Sequence, residues 1–147
     1  MLICSNAFML IINYERITFT MGKISEYMKI GTLTEEIATL KNFKYPGKVY
    51  AAPGVLKHIQ KHKDKFSKTI SNNLLSTMEN ILNNPDYVGC APDKEGTSLE
   101  LIKKIGDNML LAIQFDTIDN YIYVASLYPI TEAKLDNRLN SKRIVKV

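Results

Sequence analysis

Between Thr34 and Leu82 the apolar positions recur every three or four residues, and after Ser98 they alternate. The first rhythm belongs to helices that bury one face, the second to strands. Thr34 followed by Glu35 and Glu36, ahead of Ile37, Ala38 and Leu40, predicts a short capped helix. Lys44-Tyr45-Pro46-Gly47 is a turn, and Lys48–Ala52 a short extended piece. Pro53-Gly54 opens a second helix, with proline in its first turn. Val55, His58, Ile59, His62 and Phe66 share one face of it, and five lysines cover the rest. Ser67 or Ser71 caps a third helix, whose stripe is Ile70, Leu74, Met78, Ile81 and Leu82. Asn83-Asn84-Pro85 stops that helix, and Pro85–Gly96 is expected to be loop.

Beyond the loop, Ser98–Ile105, Met109–Phe115 and Tyr121–Tyr128 read as three strands joined by Gly106-Asp107-Asn108 and Asp116–Asn120. Strict alternation puts Tyr121, Tyr123, Ala125 and Leu127 on one face of the third strand, and Ile122, Val124, Ser126 and Tyr128 on the other. Thr131-Glu132 starts a short helix or turn to about Leu139, and Arg143–Val147 is a last strand. The expected class is therefore α+β, with N-terminal helices packed on an antiparallel meander of about four strands. The apolar opening, residues 1–20, reads as a strand or extension ahead of one domain spanning 21–147. Ile11–Phe19 has strand composition, and Met21 is a possible internal start. The opening has no basic residue ahead of its apolar run and is short of a membrane span, which needs about 20 apolar residues.

With 147 residues the chain has room for a core of its own. Its composition excludes a disordered chain, a collagen repeat or a disulfide miniprotein. Cys4 and Cys90 are far apart and in no CxxC pair, which points to reduced thiols rather than a structural zinc site. GxGxxG, Walker, GxSxG and DxDxDG motifs are missing, so no nucleotide cofactor, acyl-transfer triad or calcium loop is expected. The net charge of +4 is unevenly placed. Lys57–Lys68 holds five lysines against one aspartate, and Tyr128–Val147 five basic residues against two acidic ones. The remainder is acidic. If both basic segments border one cleft, they form a phosphate-binding surface; otherwise they are solvated helix face and tail.

His58 and His62 are the only histidines, one helical turn apart. Such a pair suits acid–base work near neutral pH, or it is simply helix surface. The stretch His58-Ile59-Gln60-Lys61-His62 lacks the glutamate of HExxH, and the flanking lysines oppose a cation, so no metal is expected. Ser126 and Tyr128 offer hydroxyls at the end of the third strand, and Arg143 a fork that fits phosphate.

The stretches Gly22–Ser25, Pro53–His62, Asn84–Gly89, Ser98–Lys103 and Tyr121–Tyr128, in that order, resemble the phage-type nucleases of the barnase, EndoU, colicin and RelE class. The resemblance runs from about Gly22 to Arg143. It implies a toxin- or phage-type endoribonuclease that needs no metal or other cofactor, acting in the cytoplasm of a bacterial host or target cell. The partners it implies are RNA and a cognate inhibitor protein, with no membrane. Carried onto this sequence, the catalytic candidates are His58, His62, Ser126 and Arg143. The candidates for binding substrate are Lys57, Lys61, Tyr87, Tyr128 and Arg138. Two alternatives stay open: a non-catalytic nucleic-acid-binding module, and a phage-type inhibitor that acts through protein contact.

Overall fold

Every second residue from Ser98 onward is apolar on one side, and this alternation builds the centre of the sheet. In the computed structural model, which describes residues 10–11, 14–19 and 25–147, the strands are β1 (Leu10–Ile11), β2 (Tyr14–Phe19), β3 (Ser25–Leu33), β4 (Gly47–Ala51), β5 (Tyr87–Gly89), β6 (Ser98–Ile105), β7 (Asp107–Asp116), β8 (Tyr121–Ile130) and β9 (Ile144–Lys146). Among the described residues they form one sheet in the order β1-β2-β3-β4-β8-β7-β6-β5-β9. β4 and β8 pair in parallel; the other neighbours are antiparallel. The helices are α1 (Glu35–Thr39), α2 (Pro53–Lys61), α3 (Lys68–Ser71), α4 (Leu74–Asn83) and α5 (Glu132–Asn140).

The α+β class and the β6–β7–β8 meander agree with the sequence reading, but the sheet is larger than four strands. β3 is an addition, and β5 lies inside the stretch expected to be loop. β5 is only three residues long and inserts between β6 and β9, where Val88 and Gly89 are buried. Gly89 is required by space: a Cβ there would stand 2.8 Å from the Arg143 carbonyl oxygen and against Ile144. The single helix expected over 70–82 is two. α3 is capped by Ser67, whose Oγ accepts from the Ile70 N–H at 3.3 Å, and it ends at Asn72-Asn73 before α4 starts. The apolar residues 1–9, Cys4 and Met21 lie outside the described residues.

Two clusters fill the two sides of the sheet. On one face α2, α3 and α4 bring Ile59, Ile70, Met78, Ile81 and Leu82 against Leu99, Leu101, Met109, Leu111, Ile113, Ile122, Val124 and Leu127. Burying each such side chain is worth roughly 1.5–3 kcal/mol, so this layer fixes where α2 lies. On the other face α5 covers only one end of the sheet, where its Leu135 packs with Ile102, Leu110, Ile130 and Ile144. The rest of that second face carries no helix among the described residues, and we call it the open face.

A bulge in β8 corrects the expected alternation. Ala112 pairs with Ser126 but Ile113 pairs with Val124, so Ala125 is an extra residue. Ile122, Val124 and Leu127 all enter the helical core, while Tyr121, Tyr123, Ser126 and Tyr128 share the second face, Tyr128 at its end against the α5 cluster and the others on the open part. Strict alternation would have separated Ser126 and Tyr128 from the two upstream tyrosines.

Candidate functional site

β4 pairs with β8 only at Val49–Ile122 and Tyr50–Tyr123, then ends at Ala51. Pro53 sits at the start of α2, so the chain turns from strand to helix within two residues. Past Tyr123, β8 is bordered by α2 instead of a strand. This junction forms a cleft of about 240 Å³ lined by His58, Ile59, His62, Lys65, Phe66, Ser126, Leu127 and Tyr128. Ile59 is buried and anchors the helix, which holds the exposed His58 and His62 at the rim. The two rings meet edge to face, 5.0 Å between centroids. α2 ends at Lys61, and His62 closes it by donating its N–H to the Ile59 carbonyl at 3.0 Å. A basic last turn suits the negative end of the helix dipole.

The second part of the site is a charge cluster on the open face. Glu100 is 5 % exposed and stands opposite Ala112, which stands opposite Ser126. Two strand spacings, about 9.6 Å, separate the Glu100 and Ser126 backbones, with only a methyl group between them. Arg143 donates to the Glu100 carboxylate through Nε at 3.1 Å and Nη2 at 2.7 Å, and Arg138 through Nη1 at 3.3 Å. The geometry at the end of α5 brings these arginines together. Lys142 takes a left-handed φ of 64°, Lys142 N–H donates to the Leu139 carbonyl at 3.1 Å and Arg143 N–H to the Arg138 carbonyl at 2.9 Å. That is a Schellman turn, and it folds Arg143 back beside Arg138. The hydrogen bond to Glu100 is the main reason that Arg143 is held above the ordinary arginine pKa; burial opposes it, and the Glu100 charge, Tyr128 and Cys90 add to it. Tyr128 thus links the two parts: it lines the histidine cleft and lies within electrostatic reach of Arg143.

The structure therefore brings His58, His62, Ser126 and Tyr128 into one cleft, with Arg138 and Arg143 in the adjoining cluster. It does not bring in the remaining three candidates. Lys57 and Lys61 line a different groove of about 880 Å³, with Leu56, Gln60, Leu74 and Leu75. Tyr87 is on β5 beside α5, in a polar cavity of about 340 Å³ with Lys104, Asn108, Glu132 and Lys146. The lysine that lines the histidine cleft is Lys65. Glu100 is the residue that sequence reasoning missed. Its signal was slight: alternation sets it opposite Leu99 and Leu101, on the side shared by Ser98, Ile102 and Lys104, where a charge reads as solvated, and only its burial marks it out. Ala112 is likewise a gap in the large apolar run of β7.

Among the described residues, no three His, Cys, Asp or Glu side chains cluster as metal ligands, and no helix is long and apolar enough to cross a membrane. Comparison with curated proteins and with solved structures returned no match. Comparison with family models did: that of the phage-Barnase-EndoU-ColicinE5/D-RelE like nuclease 3 matches residues 28–137, which takes in α2, the meander and most of α5. A chain matched over that much of its length belongs to this family of nuclease domains.

Proposed function

We propose that this nuclease domain is an endoribonuclease that cleaves RNA without a metal, by attack of the ribose 2′-hydroxyl on the adjacent phosphorus. The reading rests above all on the cleft that collects both histidines, Ser126 and Tyr128 from elements far apart in sequence. One imidazole takes the 2′ proton as O2′ bonds to phosphorus. The P–O5′ bond breaks, and O5′ receives a proton from the other imidazole. The products are a 2′,3′-cyclic phosphate and a free 5′-hydroxyl. Attack and departure occur on opposite sides of phosphorus. Both rings are exposed, so each can turn away from their mutual edge contact to face a phosphate between them.

Charge on the phosphorane is met by Arg143 and Arg138. Glu100 holds part of each guanidinium and leaves the other N–H groups for the ligand. Lys65 adds a further cation, and the hydroxyls of Ser126 and Tyr128 orient the phosphate. The partner implied is RNA. A cognate inhibitor protein and a cytoplasmic setting fit such an activity, because a free ribonuclease harms the cell that holds it. The chemistry is tested with a short RNA and its copy carrying a single 2′-deoxy substitution at the cleaved position. The mechanism predicts a cyclic phosphate product from the first and no cleavage of the second. Cleavage of both would refute 2′-hydroxyl attack.

A further inference from the structure

The open face continues beyond Ser126 along β8, and what it presents there is aromatic. Tyr123 and Tyr121 follow Ser126 on the same face because of the bulge at Ala125. Tyr121 and Tyr123 are half-buried, their ring centroids 5.8 Å apart, and Tyr27 from β3 meets Tyr121 edge-on at 5.5 Å. Two polar contacts fix the rings: Tyr123 Oη donates to Gln114 Oε1 at 2.8 Å, and the Tyr121 and Tyr27 hydroxyls are 3.4 Å apart. The sheet register adds Lys29 and Lys48 to this face, beside Tyr50 and in the row of Tyr121. Asp116 and Asp119 are acids within electrostatic reach of Tyr121, and the Asp116 Oδ1 is engaged by the backbone N–H groups of Ile118 and Asp119.

We propose that this tyrosine face is a base-stacking platform for single-stranded RNA, holding nucleotides that flank the phosphate in the histidine cleft. The occupant follows from two features. The face is continuous with the cleft along one strand, and it combines rigid half-buried aromatic rings with cations at its margin. That combination matches unpaired bases on a phosphate backbone, whereas a duplex keeps its bases stacked inside and offers none to a flat ring. The proposal rests on RNA being the ligand of the cleft, and it adds the strandedness of that RNA.

The test uses the full chain and a fluorescein-labelled eight-nucleotide RNA with 2′-O-methyl groups throughout, which cannot be cleaved by 2′-hydroxyl attack. Binding is read by anisotropy for wild type, Tyr123→Phe, Tyr123→Leu and Tyr121→Leu, each checked for a native melting transition. Loss of one stacked ring is expected to weaken binding by about 5- to 150-fold in the leucine variants. Tyr123→Phe keeps the ring and should stay within about threefold of wild type. The chain has no tryptophan, so tyrosine fluorescence is a second readout: its quenching by the bound RNA should be smaller in the leucine variants than in wild type. The same RNA annealed to its complement should bind more weakly and be indifferent to the leucine substitutions. Folded leucine variants that bind the single strand like wild type overturn the platform, and so does an equal loss on the duplex. Ring-dependent binding by a protein that cleaves no RNA would uphold the platform and overturn the catalytic reading instead.

Discussion

Glu100→Ala is the substitution that removes the shared partner of Arg138 and Arg143, and its effect follows from the geometry. The carboxylate accepts three guanidinium hydrogen bonds, at 2.7, 3.1 and 3.3 Å, and its side chain is 7 % exposed. Hydrogen bonds to charged groups contribute about 1.5–3 kcal/mol each, and removing one partner of a buried ion pair costs about 3–5 kcal/mol. The arginine side chains retain 17 % and 28 % exposure, so both regain part of their hydration once the acid is gone. The net loss should be about 3 kcal/mol, or roughly 10 °C in Tm for a chain of this size. Urea unfolding followed by circular dichroism measures it: the midpoint should fall with the slope unchanged. Glu100→Gln should lose nearly as much, because its amide presents N–H groups to a guanidinium. The double variant Glu100→Ala/Arg143→Ala should be no less stable than Glu100→Ala, since the second change removes a stranded cation. A loss below about 0.5 kcal/mol in Glu100→Ala, or a double variant whose losses simply add, would refute the clamp.

Three further outcomes follow from single positions. Gly89→Ala drives a methyl group toward the Arg143 carbonyl and Ile144, so it should cost about 1–3 kcal/mol in urea unfolding and lower cleavage by displacing Arg143. Lys142→Gly relieves a left-handed φ of 64° that glycine adopts freely, and a gain of about 0.5 kcal/mol is expected, with cleavage retained. Burial raises the pKa of both Tyr121 and Tyr123 above the ordinary 10.0, with Tyr27 adding to the effect at Tyr121. The folded state therefore keeps these phenols protonated longer than the unfolded chain does. Stability should be level below pH 10 as far as they are concerned and fall above it; ionisation of both rings in the folded protein at or below the ordinary 10.0 would contradict this.

Period was legible in the sequence, and contacts between distant segments were not. The meander and α2 emerge from spacing alone, because each buries a regular stripe long enough to see. β5 has three residues, too few to show alternation, and it exists because β6 and β9 supply partners on both sides. The Asn72-Asn73 break hides within a stripe that continues in register across α3 and α4. The bulge at Ala125 cannot be read from YIYVASLY, where strict alternation is equally well formed; only pairing with β7 reveals it. His58, His62, Ser126, Tyr128, Arg138 and Arg143 were singled out by residue type and resemblance, and the packing shows only that they lie in one cleft or in the cluster beside it. Lys57 and Lys61 look equivalent to Lys65 along the chain, and only the packing of α2 shows which lysine lines the cleft. Glu100 went unnoticed because the carboxylate gains its meaning from two arginines about forty residues away in sequence.

In the proposed mechanism the histidine pair moves the protons of a metal-free cleavage of RNA. The most direct measurement is cleavage of single-stranded RNA in excess EDTA by wild type, His58→Ala and His62→Ala, all shown to be folded. Cleavage by wild type that survives EDTA, and falls by about 10²- to 10⁴-fold in each histidine variant, is the predicted result. Both rings are exposed, so neither substitution should lower the melting temperature by more than about 2 °C. Cleavage abolished by EDTA, or undiminished in both variants, would contradict metal-free catalysis by the histidine pair.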